Sequence, residues 1–294
     1  MSSSLIIGSR GSALALWQAR YVAALLKEIS IETRIKIIKT TGDHLQTSSF
    51  MQADGKGLFT KEIEQALLDG AIDVAVHSLK DLPTEITPGL TIAAIPTRED
   101  ARDALVGSKL TTLKQGARVG TSSGRRAAQL RHLRPDLVIE PVRGNVDTRL
   151  RKSQEGGYDA IVLAAAGLKR LGFESEIAEI LSPEQLCPAP GQGALAIQTR
   201  TGDVAADICR ALDHQDSRIA VEAERAVLAG LGGGCQLPIG AFAERTRNKW
   251  SLTAVVVSPD GSCLLRENAE LEPGEIIQRL LERGARDLLA QSIT

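Results

Sequence analysis

The chain has 294 residues, of which 43% are hydrophobic and 24% are charged, and its formal net charge is -1. This length and composition predict a globular protein of two or three domains, at roughly 150 residues a domain. The near-zero net charge excludes a protein whose whole surface is built to bind nucleic acid or anionic lipid, so any basic binding site must be local.

The start of the chain, MSSSLIIG, has neither the basic segment nor the long apolar segment of a secretion signal, and no apolar run is long enough to cross a bilayer. We therefore expect a cytoplasmic protein. The four cysteines and four histidines are widely dispersed along the chain. Their spacing indicates free thiols rather than a disulfide framework, and it fits no metal site.

Strand and helix patterns alternate in the first third of the chain. They predict strands at residues 5–7, 31–38, 73–77 and 91–95, helices at residues 13–29 and 61–68, and a polar loop at residues 41–57. The alternation begins again near residue 103, with strands at residues 118–120, 137–142 and 159–163 and helices at residues 127–133 and 146–154. Such alternation is typical of open α/β sheets, so we expect two α/β units.

The two α/β units share one kind of turn, which ends a strand and opens a helix. Its sequence is GSRGS at residues 8–12 and GTSSG at residues 120–124. Both turns can present backbone N–H groups and hydroxyls to an anion.

The last part of the chain changes character after a Pro- and Gly-rich segment at residues 187–193. The predicted elements there are strands at residues 194–198, 250–257 and 262–269, helices at residues 204–212, 218–231 and 275–290, and a Gly-rich loop at residues 232–238. We expect domain 1 to comprise residues 1–97 and 194–214, domain 2 residues 98–193, and a smaller α+β domain 3 residues 215–294.

Arginines are dense between residues 98 and 151, and several lie at the ends of predicted elements. Arg125 and Arg126 lie where a helix begins, Arg143 follows a strand, and Arg149 is one turn into the next helix. Guanidinium groups bind carboxylate or phosphate in a bidentate manner, so this placement favours a local anion site. Any one of these arginines alone is equally consistent with a solvated residue paired with a nearby Asp or Glu.

Two further residues are candidates for chemistry. Asp81 follows a predicted buried strand, at the sheet edge where open α/β folds bind ligands, and it can stabilise a cation or move a proton. A turn-forming Asp with a surface ion pair is the simpler alternative. Cys235 lies in a glycine-rich loop before a proline, which suggests an approachable thiol, although most cysteines of unknown role are inert.

Eight segments, in one order along almost the whole chain, resemble the porphobilinogen deaminase family. They are residues 10–18 (RGSALALWQ), 55–62 (GKGLFTKE), 73–83 (DVAVHSLKDLP), 120–126 (GTSSGRR), 143–150 (RGNVDTRL), 158–171 (YDAIVLAAAGLKRL), 190–194 (PGQGA) and 234–240 (GCQLPIG). The resemblance implies a monomeric transferase of tetrapyrrole and heme biosynthesis. Its first two domains would be like those of periplasmic binding proteins, and its third would carry the cofactor loop.

The resemblance also implies a substrate, a cofactor and roles for named residues. The substrate is porphobilinogen, and the cofactor is a dipyrromethane joined by a thioether to Cys235. The implied cofactor-binding residues are Ser12, Ser78, Lys80, Thr121, Ser122, Arg125, Arg126, Arg149, Arg170 and Gln192. The implied substrate-binding residues are Arg10, Lys56, Arg143, Arg149 and Arg170. Asp81 is the implied catalytic residue, and no metal, nucleic acid or membrane is involved.

The implied reaction starts with loss of ammonia from porphobilinogen. The resulting electron-poor azafulvene is attacked by a pyrrole α-carbon, and four such rounds followed by hydrolysis release hydroxymethylbilane. A fixed carboxylate at Asp81 would offset the positive charge on the pyrrole nitrogen. The competing hypothesis is a solute-binding protein that uses the arginines without a reaction. Such a protein leaves Cys235 in its glycine loop unexplained.

Overall fold

The computed structural model describes residues 4–40, 60–234 and 237–291. The chain divides into two compact units. The first comprises residues 1–98 and 194–218, and the second comprises residues 99–193 and 219–294. The first unit has nearly the bounds expected for domain 1. The division of the second unit into domains 2 and 3 stays a prediction.

The first unit is built on a five-stranded sheet. Its elements are β1 (Leu5–Ser9), α1 (Ala13–Glu28), β2 (Thr33–Ile37), α2 (Lys61–Leu68), β3 (Val74–Ser78), β4 (Leu90–Ala94), β10 (Leu195–Arg200) and α6 (Val204–Arg210). The strand order is β2-β1-β3-β10-β4. Strand β1 runs parallel to β2 and β3, and β10 runs antiparallel to β3 and β4.

Helices cover both faces of this sheet, which explains why the first four residues of β3 are all buried rather than every second one. Val74 and Val76 of β3 belong to the cluster that contains the buried face of α1. Ala75 belongs to the opposite cluster, with Ile63 and Leu67 of α2. Strand β3 is therefore fixed from both sides.

The second unit contains a sheet of the same design. Its elements are β5 (Asp103–Val106), β6 (Arg118–Gly120), α3 (Gly124–Leu133), β7 (Val138–Glu140), α4 (Val146–Gln154), β8 (Ala160–Ala164), α5 (Ala165–Arg170) and β9 (Ile177–Ile180). The strand order is β7-β6-β8-β5-β9, with β5 antiparallel to both neighbours. In both sheets the antiparallel strand is therefore fourth in order.

The second unit also contains an antiparallel sheet of order β11-β12-β13. The elements are α7 (Gln215–Gly230), β11 (Ile239–Thr246), β12 (Lys249–Val257), β13 (Leu264–Ala269), α8 (Pro273–Glu282) and α9 (Ala285–Ala290). The sheet packs on its helices around a separate apolar cluster that includes Val227, Leu252 and Leu280. Two α/β sheets and a smaller α+β part confirm the predicted fold class.

Some elements differ from the sequence prediction. Strands β5, β9 and β11 and helix α5 were not predicted. Strands β5 and β9 have four residues each and helix α5 has six, which is too short to show a clear period. Helix α3 begins at Gly124 rather than residue 127, since Ser123 lies at its N-cap and accepts the Arg126 N–H. The single helix predicted at residues 275–290 is two helices, because Gly284 adopts a left-handed φ of 88° between them.

Within the described ranges, we find no helix with both the length and the apolar character that a membrane crossing requires. The same residues contain no cluster of His, Cys, Asp and Glu that could hold a metal ion.

Candidate functional site

In the first unit, the turn between β1 and α1 carries Arg10 and Ser12. The Ser12 hydroxyl oxygen accepts the Ala15 N–H at 3.3 Å and so caps helix α1. The Ser9 hydroxyl donates to the Arg10 carbonyl at 3.0 Å. Because Ser12 acts as an acceptor in this cap, its hydroxyl retains a proton that it can donate to a ligand.

The end of strand β3 carries Ser78, Lys80 and Asp81. The buried Gln18 side chain of α1 donates to the Ser78 hydroxyl at 2.8 Å. Beyond Ser78 the chain forms one 3-10 turn, Leu79–Asp81, whose buried Leu79 donates its N–H to the Ala194 carbonyl at 3.0 Å. The turn is therefore anchored by its backbone and by Leu79, while Asp81 is exposed to solvent.

A series of three hydrogen-bonded side chains, those of His77, Gln198 and Glu64, is buried next to this turn. His77 Nε2 lies 3.1 Å from Gln198 Oε1, and Gln198 Nε2 donates to Glu64 Oε1 at 2.9 Å. Because the Gln198 amide donates to Glu64, its oxygen must accept, which assigns the His77 proton to Nε2. Burial lowers the pKa of His77 to about 4, against a smaller opposing effect of Glu64, so the ring is neutral at pH 7.

In the second unit, Arg125 and Arg126 lie in the first turn of α3 and share one carboxylate, that of Asp103 on β5. The arginines are 4% and 5% exposed, and Asp103 is 0% exposed. Arg125 Nη2 donates to Asp103 Oδ2 at 2.8 Å, and Arg126 Nε and Nη2 donate to Oδ1 at 2.9 and 2.7 Å. The alternative of solvated arginines paired with a nearby acid is therefore wrong about solvation, since both side chains are buried, but both arginines are paired with an Asp.

Gln192 and two carbonyls complete this cluster. Gln192 Nε2 donates to Asp103 Oδ1 at 2.8 Å, and Arg126 Nη2 donates to Gln192 Oε1 at 3.5 Å. Arg125 donates to the Cys187 carbonyl and Arg126 to the Val162 carbonyl, at 2.5 and 3.1 Å. Bonds to neutral carbonyls satisfy N–H groups without offsetting the charge of the arginines.

The charges in this cluster do not balance. Burial raises the pKa of Asp103, but Arg125 and Arg126 more than offset this effect and lower that pKa to about 2. Burial lowers the pKa of Arg125. Burial and the charge of Arg126 lower the pKa of Arg149 as well, so Arg149 is electrostatically coupled to the pair. Arg125 and Arg126 thus share the single carboxylate of Asp103, and the half-buried Arg149 adds a third positive charge close to Arg126.

The remaining predicted residues of this unit lie at strand ends or beside them. Ser122 follows β6 and donates its hydroxyl proton to the Val142 carbonyl at 2.8 Å, while the Thr121 hydroxyl accepts the Ser123 N–H at 3.2 Å. Arg170 ends α5 and donates from Nη2 to the Gly193 carbonyl at 2.6 Å. Arg143 is exposed in the loop after β7.

Two predicted residues, Lys56 and Cys235, lie outside the described residues. The other three cysteines carry free thiols. Burial raises the pKa of Cys187 to about 12 and that of Cys209 to about 12, so these thiols are poor nucleophiles. Cys263 is half-buried.

Sequence reasoning did not single out Gln18, Glu64, Asp103 or Gln198. Each is a buried polar residue, and its partner is distant in sequence. Asp103 is 89 residues from Gln192, for example, and Gln198 is 134 residues from Glu64. The one signal in the sequence is an acidic or amide side chain at a position where burial is expected. Such a side chain needs a hydrogen-bond partner, but the sequence does not show which residue that partner is.

Comparison with known proteins gives consistent matches over the whole chain. A model described as "Porphobilinogen deaminase, dipyromethane cofactor binding domain" matches residues 5–207, and "Porphobilinogen deaminase, C-terminal domain" matches residues 218–281. The porphobilinogen deaminase of Sorangium cellulosum is 50% identical, with 99% of each chain covered. That of Thermus thermophilus is 49% identical, with 98% of each chain covered.

Solved structures give weaker matches. A periplasmic substrate-binding protein of an ABC transporter from Coxiella burnetii has a TM-score of 0.42 and 13% identity, covering 72% of this chain and 93% of that chain. The methionine-binding protein MetQ has a TM-score of 0.44 and 12% identity, covering 71% of this chain and 89% of that chain.

Proposed function

The chain belongs to the porphobilinogen deaminase family, and we propose that its two units have different roles in that activity. The arginines of the second unit bind cofactor carboxylates, and Asp81 of the first unit stabilises positive charge on the substrate. The activity condenses porphobilinogen units on a dipyrromethane cofactor. The observation that carries the proposal is the buried cluster in which Arg125 and Arg126 share the carboxylate of Asp103, with the half-buried Arg149 close to Arg126. We assign this cluster to the cofactor.

The donor set of the second unit fits a cofactor that bears several carboxylates. A buried positive charge is costly unless an anion offsets it, and the single carboxylate of Asp103 offsets only one of the two buried arginine charges that contact it. Arginine binds carboxylates in a bidentate manner, and such bonds strengthen where water is excluded. We therefore assign Arg125, Arg126, Arg149 and Arg170 to the cofactor carboxylates, together with Thr121, Ser12, Ser78 and Lys80. The two amide N–H groups of Gln192 already donate to the Ala101 carbonyl and to Asp103, so we propose that Gln192 serves the cofactor site by holding Asp103. When bound, the cofactor supplies the pyrrole carbon from which the product chain grows.

We propose a cofactor contact for the backbone of Ser122 but not for its hydroxyl. Its single hydroxyl proton is donated to the Val142 carbonyl, so the hydroxyl cannot also donate to a carboxylate. A contact between Ser122 and the cofactor would have to use the backbone N–H of this residue.

Asp81 is proposed as the catalytic residue. Positive charge develops on the pyrrole nitrogen of porphobilinogen as ammonia leaves, and a fixed carboxylate lowers the energy of that state. The exposed position of Asp81 on an anchored turn leaves the carboxylate accessible to substrate without motion of the strand. Arg10, Arg143 and Lys56 are proposed to hold the substrate carboxylates.

Cys235 is proposed as the attachment point, with its sulfur forming the thioether. High pKa values at Cys187 and Cys209 support this choice, because the thiolate is the nucleophile and both of these thiols stay protonated at neutral pH. Assignment to the transferase class, action in the cytoplasm and a monomeric state are further parts of the proposal, and they rest on family membership alone.

The mass of the intact purified protein tests the proposal. We expect the wild-type chain to be heavier than its sequence by one dipyrromethane, and Cys235→Ser to lack the excess. Cys263→Ser is the matched control, since it removes a half-buried thiol of the same protein, and it should keep the excess. An excess that persists in Cys235→Ser would refute the attachment point, and a wild-type chain without any excess would refute the cofactor assignment.

A further inference from the structure

Four consecutive carbonyls in the loop between β7 and α4 are each bound by a different side chain. The Tyr158 hydroxyl donates to the Pro141 carbonyl at 2.8 Å, and the Ser122 hydroxyl donates to that of Val142 at 2.8 Å. Lys152 Nζ donates to the Arg143 carbonyl at 3.1 Å, and Arg149 Nε donates to that of Gly144 at 2.7 Å. Residues 141–144 form what we call the carbonyl loop.

The four donors come from three separate places in the second unit. Ser122 follows strand β6, Tyr158 precedes strand β8, and Lys152 and Arg149 lie on helix α4. A loop bound to one element can move with that element, whereas a loop bound to three places has one position in which all four hydrogen bonds form together. Gly144 adds a local constraint, since its φ is 117° and an added Cβ would lie 2.7 Å from Thr148.

We propose that Tyr158, aided by Ser122 and Lys152, is a positioning residue that fixes the carbonyl loop and thereby holds the exposed Arg143 side chain in place for a substrate carboxylate. This inference rests on the proposed role of Arg143. Tyr158 is the donor best suited to a test, because its ring makes contacts that do not involve the hydroxyl and that remain when the hydroxyl is removed. The ring packs 3.0 Å from where a Gly120 Cβ would lie, and the Arg118 guanidinium sits 5.8 Å from its centroid.

The first test is Tyr158→Phe, which removes the hydroxyl and keeps the ring. If the four bonds hold the carbonyl loop, we expect trypsin to cleave after Arg143 when the loop opens, so that the cleavage rate reports the open fraction. Loss of one hydrogen bond should increase cleavage at Arg143 about 3- to 10-fold. Cleavage at Arg247, in the exposed turn between β11 and β12, should stay unchanged and serves as the internal reference.

The matched control is Tyr21→Phe, the other tyrosine of the chain. The Tyr21 ring stacks on Trp17, and its hydroxyl makes no hydrogen bond within the described part of the chain. This variant should be cleaved like the wild type. Cleavage of Tyr158→Phe at the wild-type rate would overturn the inference, and so would equal acceleration at Arg143 and Arg247, which would indicate general destabilisation.

The second test separates this inference from the role of Arg143 itself. Tyr158→Phe should raise KM for porphobilinogen about 3- to 10-fold with little change in kcat, and Arg143→Gln should raise KM at least as much. The double variant should then equal Arg143→Gln alone, because Tyr158 acts through Arg143. Additive effects would overturn the inference and leave the role of Arg143 intact. An Arg143→Gln enzyme with wild-type KM would overturn both.

Discussion

The two five-stranded sheets share one design, in which the fourth strand runs antiparallel to its neighbours, yet they hold their functional residues in opposite ways. In the first unit, Asp81 is exposed on a turn that the backbone anchors after strand β3. In the second unit, Arg125 and Arg126 are buried in the first turn of helix α3, where they share Asp103. Equivalent sheet edges therefore present an exposed carboxylate in one case and a desolvated cationic cluster in the other.

This difference agrees with what each group has to do. A permanent anion is bound most strongly where water is excluded, because the local dielectric constant is low and the arginines are already oriented. A carboxylate that acts on a transient cation must instead meet each incoming substrate, so it needs access. The predictions below test whether burial serves binding in the second unit and exposure serves turnover in the first.

The largest expected effect is on stability in the second unit. Asp103→Asn removes the charge that both buried arginines share, and breaking such a pair costs about 3 to 5 kcal/mol. Asp136→Asn is the matched control, since Asp136 pairs with Arg134 near the surface, where an ion pair contributes about 0 to 1 kcal/mol. Urea unfolding at pH 7 measures both values. Equal, small losses would show that Asp103 is not needed to offset the arginines.

The next largest effect is on the rate in the first unit. Asp81→Ala should lower kcat by about 100- to 1,000-fold, equivalent to about 3 to 4 kcal/mol, without lowering the melting temperature. Asp81→Glu keeps the charge, although it displaces it by one methylene, and should retain more activity than Ala. Glu85→Ala removes an exposed carboxylate four residues later and should leave kcat unchanged. Wild-type turnover in both Asp81 variants, at equal cofactor content, would reduce Asp81 to a turn residue.

These two sites differ in how far the sequence predicts them. The position of Asp81 follows from local pattern alone, because a continuous apolar run predicts strand β3 and the residue lies just beyond its end. The pairing of Arg125 with Asp103 does not follow, since it depends on strand β5, a four-residue element that lacks a clear period. The partners are 22 residues apart, and only the sheet order brings them together.

The contrast between local pattern and contacts that are distant in sequence also explains where the other predictions and the structure agree or differ. Repeated glycine and serine turns predicted two helix starts, and both exist, because capping is a local interaction. Local pattern did not show that Arg125 and Arg126 are buried, because an arginine at a helix start looks the same whether it faces water or a carboxylate. It also did not show that the helix predicted at residues 275–290 breaks at Gly284, since the apolar period continues through the break.

A smaller effect is expected for Arg126→Leu. Asp103 keeps Arg125 and Gln192 as partners in this variant, so the fold should survive while one cofactor contact is lost. The loss should cost about 1.5 to 3 kcal/mol of cofactor binding and lower the fraction of chains that carry the covalent adduct. Arg151→Leu, on the exposed surface of α4, should keep the full adduct in the same mass measurement. Full adduct and normal turnover in Arg126→Leu would argue against the cluster as the cofactor site.

The smallest effect is a difference in acid sensitivity between the two buried networks. Burial lowers the pKa of His77 from 6.5 to about 4, so the unfolded chain binds this proton more readily than the folded chain. The stability that neutral His77 provides is present above pH 6.5 and is lost as the pH falls toward 4. For Asp103, whose pKa falls from 3.8 to about 2, the corresponding loss begins below pH 3.8.

Unfolding measurements at pH 7 and pH 5 separate the two networks. Linkage predicts that His77 lowers wild-type stability by about 2 kcal/mol between these values, and His77→Asn should remove that loss. The cost of Asp103→Asn should be the same at both pH values, because both lie above the range in which Asp103 titrates. If His77→Asn lost as much stability as the wild type between pH 7 and pH 5, the buried histidine would not be the acid-sensitive group. If the cost of Asp103→Asn fell over that range, the arginine cluster would not be holding its carboxylate charged as the geometry implies.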